Sequence, residues 1–161
     1  MHQLICGITF IMNSKESNAR EPVGPMLIRT ARAVGIMLQR MFVSRGFYIS
    51  VEHWTIMVNL FVRQNGQFQQ QLADRTYKDK AAITRLVDGL EKRGLVIREE
   101  GKADRRQKKI YLTGKGEKLM VELFPVAETA QKRGLQGIDP ENMLVFEEVL
   151  QQIFKNANSR D

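Results

Sequence analysis

Five cations stand within eight residues at Lys102, Arg105, Arg106, Lys108 and Lys109, and Asp104 is the one carboxylate among them. A turn so charged repels itself unless a polyanion neutralises it. Arginine on a narrow ribbon also suits a DNA minor groove, where negative potential is concentrated. Upstream, Ala81, Thr84, Arg85, Asp88 and Lys92 lie at helical spacing opposite an apolar set, Ile83, Leu86, Val87 and Leu90. Ala and Thr can touch a thymine methyl, and Arg can read a guanine edge, so this face suits a major groove. Lys78 and Lys80 flank the start of the same helix, whose free N–H groups and positive end attract phosphate. Each feature alone reads equally well as a solvated helix face or a solvated loop. Their order along the chain favours one composite reading, a DNA-binding surface.

Those residues need a scaffold, and the hydrophobic pattern supplies one. Residues 1–25 read as an N-terminal extension and linker, with Pro22, Gly24 and Pro25 as breakers. From Met26 to about Arg45, Leu27, Ala31, Val34, Leu38 and Met41 form the seam of a helix that packs on other helices. Ser50 caps a second helix, Val51 to about Gln64, with Trp54, Met57 or Val58, and Phe61 expected inside. A short helix, Gln69 to about Thr76, follows the Asn65-Gly66 turn. Asp79 caps the next, Lys80 to about Arg93, and Gly94 closes it. The period then changes to that of strands at Leu95–Glu99 and Lys108–Leu112, a hairpin whose tip carries the cations. Thr113 caps a long helix to about Arg133 that contains Pro125. Asp139-Pro140 opens a last helix to about Lys155, with Val149 and Ile153 on its apolar face. Two helices joined by a tight turn and followed by a hairpin are the parts of a winged helix-turn-helix. The expected fold is mainly α with a small β-hairpin wing. Residues 50–113 form the DNA-binding domain, and 26–49 with 114–157 form a helical dimerisation region.

Charge supports the same division. Residues 69–118 hold fourteen Lys and Arg against eight Asp and Glu, whereas the rest of the chain holds eleven against ten. The formal net charge of +7 is therefore concentrated in the middle third, as a nucleic-acid module requires. A single cysteine, Cys6, excludes an internal disulfide framework, and two distant histidines without cysteine partners argue against zinc. Cys6 reads as an uninvolved thiol or, alternatively, a redox sensor. Leu4–Met12 is too short and lacks the flanks of a secretory signal, so a cytoplasmic protein with no membrane segment is expected. No Gly-rich phosphate loop, metal spacing or activated nucleophile is present in the sequence, so neither enzyme activity nor a cofactor or metal is expected.

Leu72-Ala73-Asp74-Arg75, Thr84-Arg85-Leu86-Val87-Asp88 and Leu90-Glu91-Lys92-Arg93-Gly94-Leu95-Val96 together resemble the helix-turn-helix of MarR-type regulators. The wing Asp104-Arg105-Arg106 followed by Leu112-Thr113 and Gly116 resembles that family's signature, and the likeness extends over roughly Met26 to Phe154. Tyr77 departs from it, standing where a helix-turn-helix often has Gly, as does Thr76, where an apolar residue is common. The resemblance implies a ligand-responsive transcriptional regulator, a repressor in the usual case, that binds a pseudo-palindromic operator on double-stranded DNA as a homodimer. Asp104 would brace the wing and Arg106 would enter the minor groove. Dimerisation would use Leu27, Ala31, Val34, Leu38, Val149, Ile153 and Phe154. A pocket for a small aromatic or phenolic effector would draw on Ile36, Arg40, His53, Trp54 and Met57, although Trp54 reads first as plain core. The alternative from another class is a winged-helix protein–protein module whose basic face is incidental.

Overall fold

The computed structural model describes residues 21–100 and 108–159. Its elements in chain order are α1 (Val23–Ser44), α2 (Val51–Val58, continuing as a wider π turn over Asn59–Arg63), β1 (Gln67–Phe68), α3 (Gln69–Thr76), α4 (Lys80–Lys92), β2 (Val96–Glu100), β3 (Lys108–Leu112), α5 (Gly114–Gly134) and α6 (Pro140–Asn158). Helix α1 begins three residues earlier than its pattern predicts. Pro25 lies in the first turn, where its missing N–H costs no helical bond, so residues 23–25, expected as the end of the linker, are already helical.

The chain forms two compact units, residues 1–36 and 37–161. In the first, Arg29 pairs with Glu21 at 2.6 Å, and Val23, Ile28, Ala31, Val34 and Ile36 are exposed while Leu27 is half-buried.

The second unit holds the core. Phe42, Ile49, Trp54, Ile56, Met57, Leu60, Leu72, Ile83, Val87, Leu90, Val96, Ile110, Met120 and Leu123 are buried together, with Leu38 and Met41 packed against them. Phe61, expected inside, is instead 40% exposed and Leu60 takes its place in the core. The wider turn at Asn59–Arg63 shifts the helical phase, and residues past Val58 no longer follow the 3.6-residue pattern. Buried Gln67 satisfies the groups this leaves, its amide donating to the carbonyls of Asn59 (2.6 Å) and Gln64 (2.9 Å) while Arg75 donates to its Oε1.

The hairpin gains a third strand that periodicity could not show, because two residues carry no period. The antiparallel order is β1-β3-β2, with Gln67 opposite Ile110 and Phe68 opposite Lys109. Caps fall where the sequence places them: Ser50 accepts from His53 N–H, Asp79 from Ala82, Thr113 from Gly116 and Asp139 from Glu141. Tyr77 closes α3 in the left-handed conformation (φ 53°, ψ 37°), so the turn forms without glycine. That conformation costs roughly 1–2 kcal/mol in a non-glycine residue. The Tyr77 ring meets Phe154 edge-on, centroids 5.2 Å apart, which offsets part of the cost. Helix α6 buries no residue; Leu144, Val145, Phe146, Val149, Ile153 and Phe154 all stand exposed. Among the described residues no helix is long and apolar enough to cross a membrane, and no cluster of three or more His, Cys, Asp or Glu could hold a metal.

Candidate nucleic-acid interface

Helix α4 buries Ile83, Val87 and Leu90 completely, which turns Ala81, Arg85 and Lys92 outward and leaves Thr84 and Asp88 half-buried at the margin. Lys80 is exposed and Lys78 half-buried beside the N-terminus of α4. Ala81, Thr84 and Arg85 thus share one open face.

Two side chains from outside α4 hold that face in place, and the sequence reading singled out neither. Gln69, the first residue of α3, donates from Nε2 to the Thr84 hydroxyl at 3.2 Å. Arg98, from β2, pairs with both Asp88 and Glu91 and donates to the Thr84 carbonyl at 3.4 Å. Arg98 was detectable in principle. It alternates with Val96, so it occupies a position where an inward apolar residue is expected, and a charge there needs partners. Gln69 offered no comparable signal.

Arg98 therefore ties the wing to α4. Arg98→Ala is expected to cost roughly 1–2 kcal/mol, a modest value because Asp88 and Glu91 remain half-exposed and hydrated. Urea midpoints measure it. Arg98→Met, which restores the stem but not the charge, should recover little; full recovery would show that packing alone matters.

The hairpin places Glu99 opposite Lys109 and Glu100 opposite Lys108. These opposite charges support the strand pairing. The Lys109 ammonium also sits 5.1 Å from the centre of the Phe68 ring. Lys109 is thus engaged within the sheet, while Lys108 is exposed at its end. Lys102, Asp104, Arg105 and Arg106 lie outside the described residues.

The residues expected around an effector have distinct surroundings. Ile36 is exposed in the first unit, and Arg40 is exposed in the second. Met57 is fully buried. Trp54 is buried edge-on between Phe42 and Phe124, with centroids 5.4 and 5.3 Å away. His53 is half-buried and lies against α4 where Gly89 has no side chain; a Cβ there would stand 2.7 Å from Nε2. Its Nδ1 is 2.9 Å from the Ser50 hydroxyl. Burial holds the imidazole pKa below its usual value, and the Arg93 charge adds to this, against opposing contributions from Glu52 and a bond to the Leu86 carbonyl. A separate cleft of about 490 Å³ is lined by Arg93, Leu95, Lys115, Lys118, Leu119 and Glu122.

A folded-state pKa below the unfolded one makes acid destabilising, since the unfolded chain takes up the proton first. His53 should therefore contribute a loss of stability as pH falls through the ordinary histidine range, near 6.5, levelling off below the depressed folded value. Urea midpoints between pH 7.5 and 5.5 should show this decline, and His53→Gln should flatten it. An unchanged slope in the variant would place the titration elsewhere.

A sequence model of the MarR family matches residues 50–107. The chain is similar to a MarR-family transcriptional regulator from Rhodococcus sp. RHA1, with 28% identity over 85% of this chain and 96% of that one and a TM-score of 0.75. It is also similar to the transcriptional regulator PA3341, at 30% identity over 86% of this chain and 100% of that one, TM-score 0.76. A third similar structure is CouR from Rhodococcus jostii RHA1 bound to p-coumaroyl-CoA, at 28% identity over 85% and 95% of the respective chains, TM-score 0.73.

Proposed function

The chain belongs to the MarR family of winged-helix transcriptional regulators, and from that premise we propose that it binds a pseudo-palindromic DNA operator as a homodimer and represses transcription in the cytoplasm until a small ligand releases it. The observation that carries this reading is the outward face of α4. Ala81, Thr84 and Arg85 stand together, next to the positive N-terminus and Lys80, and are held there by Gln69 and Arg98. Such a face reads base edges in a major groove. Lys78, Lys80 and Lys108 would meet phosphates. Lys102, Arg105 and Arg106 would reach the flanking minor groove, with Asp104 bracing the wing.

Dimerisation is supported by apolar surface that the single chain leaves uncovered: Val34 on α1, and Val149, Ile153 and Phe154 on α6. Leu27, Ala31 and Leu38 complete the α1 seam in this reading. The effector is proposed to be a small aromatic or phenolic compound, free or as a thioester. CouR, which holds p-coumaroyl-CoA, supports that class. A ligand among Ile36, Arg40, His53, Trp54 and Met57 would change the splay of two recognition helices, and half-sites about 34–36 Å apart tolerate little change.

Fluorescence polarisation on duplexes selected from a random pool tests the reading. Affinity should fall steeply between 50 and 200 mM salt and should exceed that for unselected duplex by about a thousandfold or more. Arg106→Ala should weaken all duplexes alike and flatten the salt slope, whereas Arg85→Ala should cost about 1–3 kcal/mol and relax one position. A protein that enriches no sequence would instead fit a module whose basic face is incidental. Phenols, aromatic carboxylates and arylacyl thioesters are then titrated against the selected complex; if none lowers affinity, the ligand-responsive part falls.

A further inference from the structure

The hydrogen bonds of Thr84 limit what its hydroxyl, as distinct from its methyl, can offer a base. A threonine hydroxyl has a single proton. In Thr84 that proton is donated to the Lys80 carbonyl at 2.9 Å, because a carbonyl can only accept. The contact with Gln69 Nε2 at 3.2 Å must therefore run from the amide to the hydroxyl oxygen. The Thr84 hydroxyl has no proton left to donate to a base, and only its methyl remains for contact with thymine.

Gln69 differs. One of its two amide hydrogens is committed to Thr84. Among the described residues, no side chain or backbone group bonds the second hydrogen or Oε1, and the side chain is only half-buried. An N–H donor beside a C=O acceptor is the pattern that matches adenine N7 and N6 in the major groove. The Thr84 bond also removes side-chain freedom that Gln69 would otherwise lose on binding. Because Nε2 lies within hydrogen-bond distance of Thr84, the amide reaches the same part of the groove as the α4 face.

We propose that Gln69, held by Thr84, is a specificity-determining residue that reads an adenine·thymine pair once in each half-site, with the Thr84 hydroxyl acting only as its anchor. The proposal rests on the DNA-reading function given above. It departs from the usual division of labour, in which the first helix of the motif contacts only the backbone.

The test is selection from a random-sequence duplex pool by the full-length wild type, Gln69→Ala, Thr84→Val and the double variant, with affinities then measured on the wild-type consensus and its single-base variants. The wild type should enrich a motif with an A·T pair at one symmetric position. Gln69→Ala should lose the preference there alone, with affinity for the consensus falling about ten- to a hundredfold. Thr84→Val keeps a methyl and the shape but not the anchor, so it should weaken the same preference. The Gln69→Ala effect should shrink in the Thr84→Val background, since the two act as a unit. Unchanged thermal midpoints exclude unfolding as the cause. If Gln69→Ala selects the wild-type motif, or weakens all duplexes equally as a phosphate contact would, the proposal is overturned while the DNA-binding reading stands. If the wild type enriches nothing, the DNA-reading function falls and the role of Gln69 falls with it.

Discussion

Gly116→Ala should lower stability by about 3 kcal/mol, at the upper end of the range for overpacking. Intrinsic helix propensity predicts the opposite sign, because alanine in place of glycine favours a helix by roughly 1 kcal/mol. The close approach of the chain decides the outcome. A Cβ on Gly116 would overlap the Leu95 backbone carbonyl and crowd Leu112 Cδ2 at 3.1 Å. The carbonyl cannot retreat freely, since it accepts from Thr113 N–H at 3.1 Å where β3 passes into α5. Gly116 N–H is itself bound by the Thr113 cap. The extra methyl would force the wing strands and the start of α5 apart. For a chain of this length the thermal midpoint should fall by about 6–12 °C. Gly114→Ala is the control, because nothing lies within 4 Å of a Cβ there; it should be neutral or slightly stabilising. Equal melting of the Gly116 variant and the wild type would refute the close approach.

Trp54→Ala should be the most damaging single truncation, at about 3–5 kcal/mol. Trp54 is buried and joins Phe42 to Phe124 through two edge-on contacts, so truncation removes both and leaves a cavity between α1, α2 and α5. Phe124 also touches Phe61, whose outer side is exposed, so the damage should reach the surface of the cluster. Trp54 is the only tryptophan, and unfolding must therefore be followed by circular dichroism. Trp54→Phe should retain most of the stability. A cost below about 1 kcal/mol for Trp54→Ala would mean that the indole lines an open site rather than fills a core. A phenol that raised the midpoint of the alanine variant but not of the wild type would show the cavity itself to be filled by the ligand.

Much of this fold is written locally. Ser50, Asp79, Thr113 and Asp139 announce helix starts because a capping side chain bonds N–H groups two or three residues on. Ile83, Val87 and Leu90 announce the inner face of α4 by period, and the face that carries Arg85 follows by exclusion. The cationic hairpin is likewise visible as a change of period with a charged turn. These signals span a few residues and need no partner elsewhere in the chain.

The order of elements, the faces of the helices, the placement of positive charge and the resemblance to a family can all be read from the residues alone. Which residues meet depends on how the segments pack. The pairing of Gln67 with Ile110, the reach of Gln69 to Thr84, and the clasp of Arg98 on Asp88 and Glu91 join positions seven to forty-three residues apart. The left-handed turn at Tyr77 is supported by Phe154, which lies beside it, seventy-seven residues on. The wider turn at Asn59–Arg63 exposed Phe61 because a buried glutamine from the next strand stood ready to donate to the displaced carbonyls. Periodicity and capping are properties of one segment. Side-chain pairing between segments depends on their packing, which no local pattern contains.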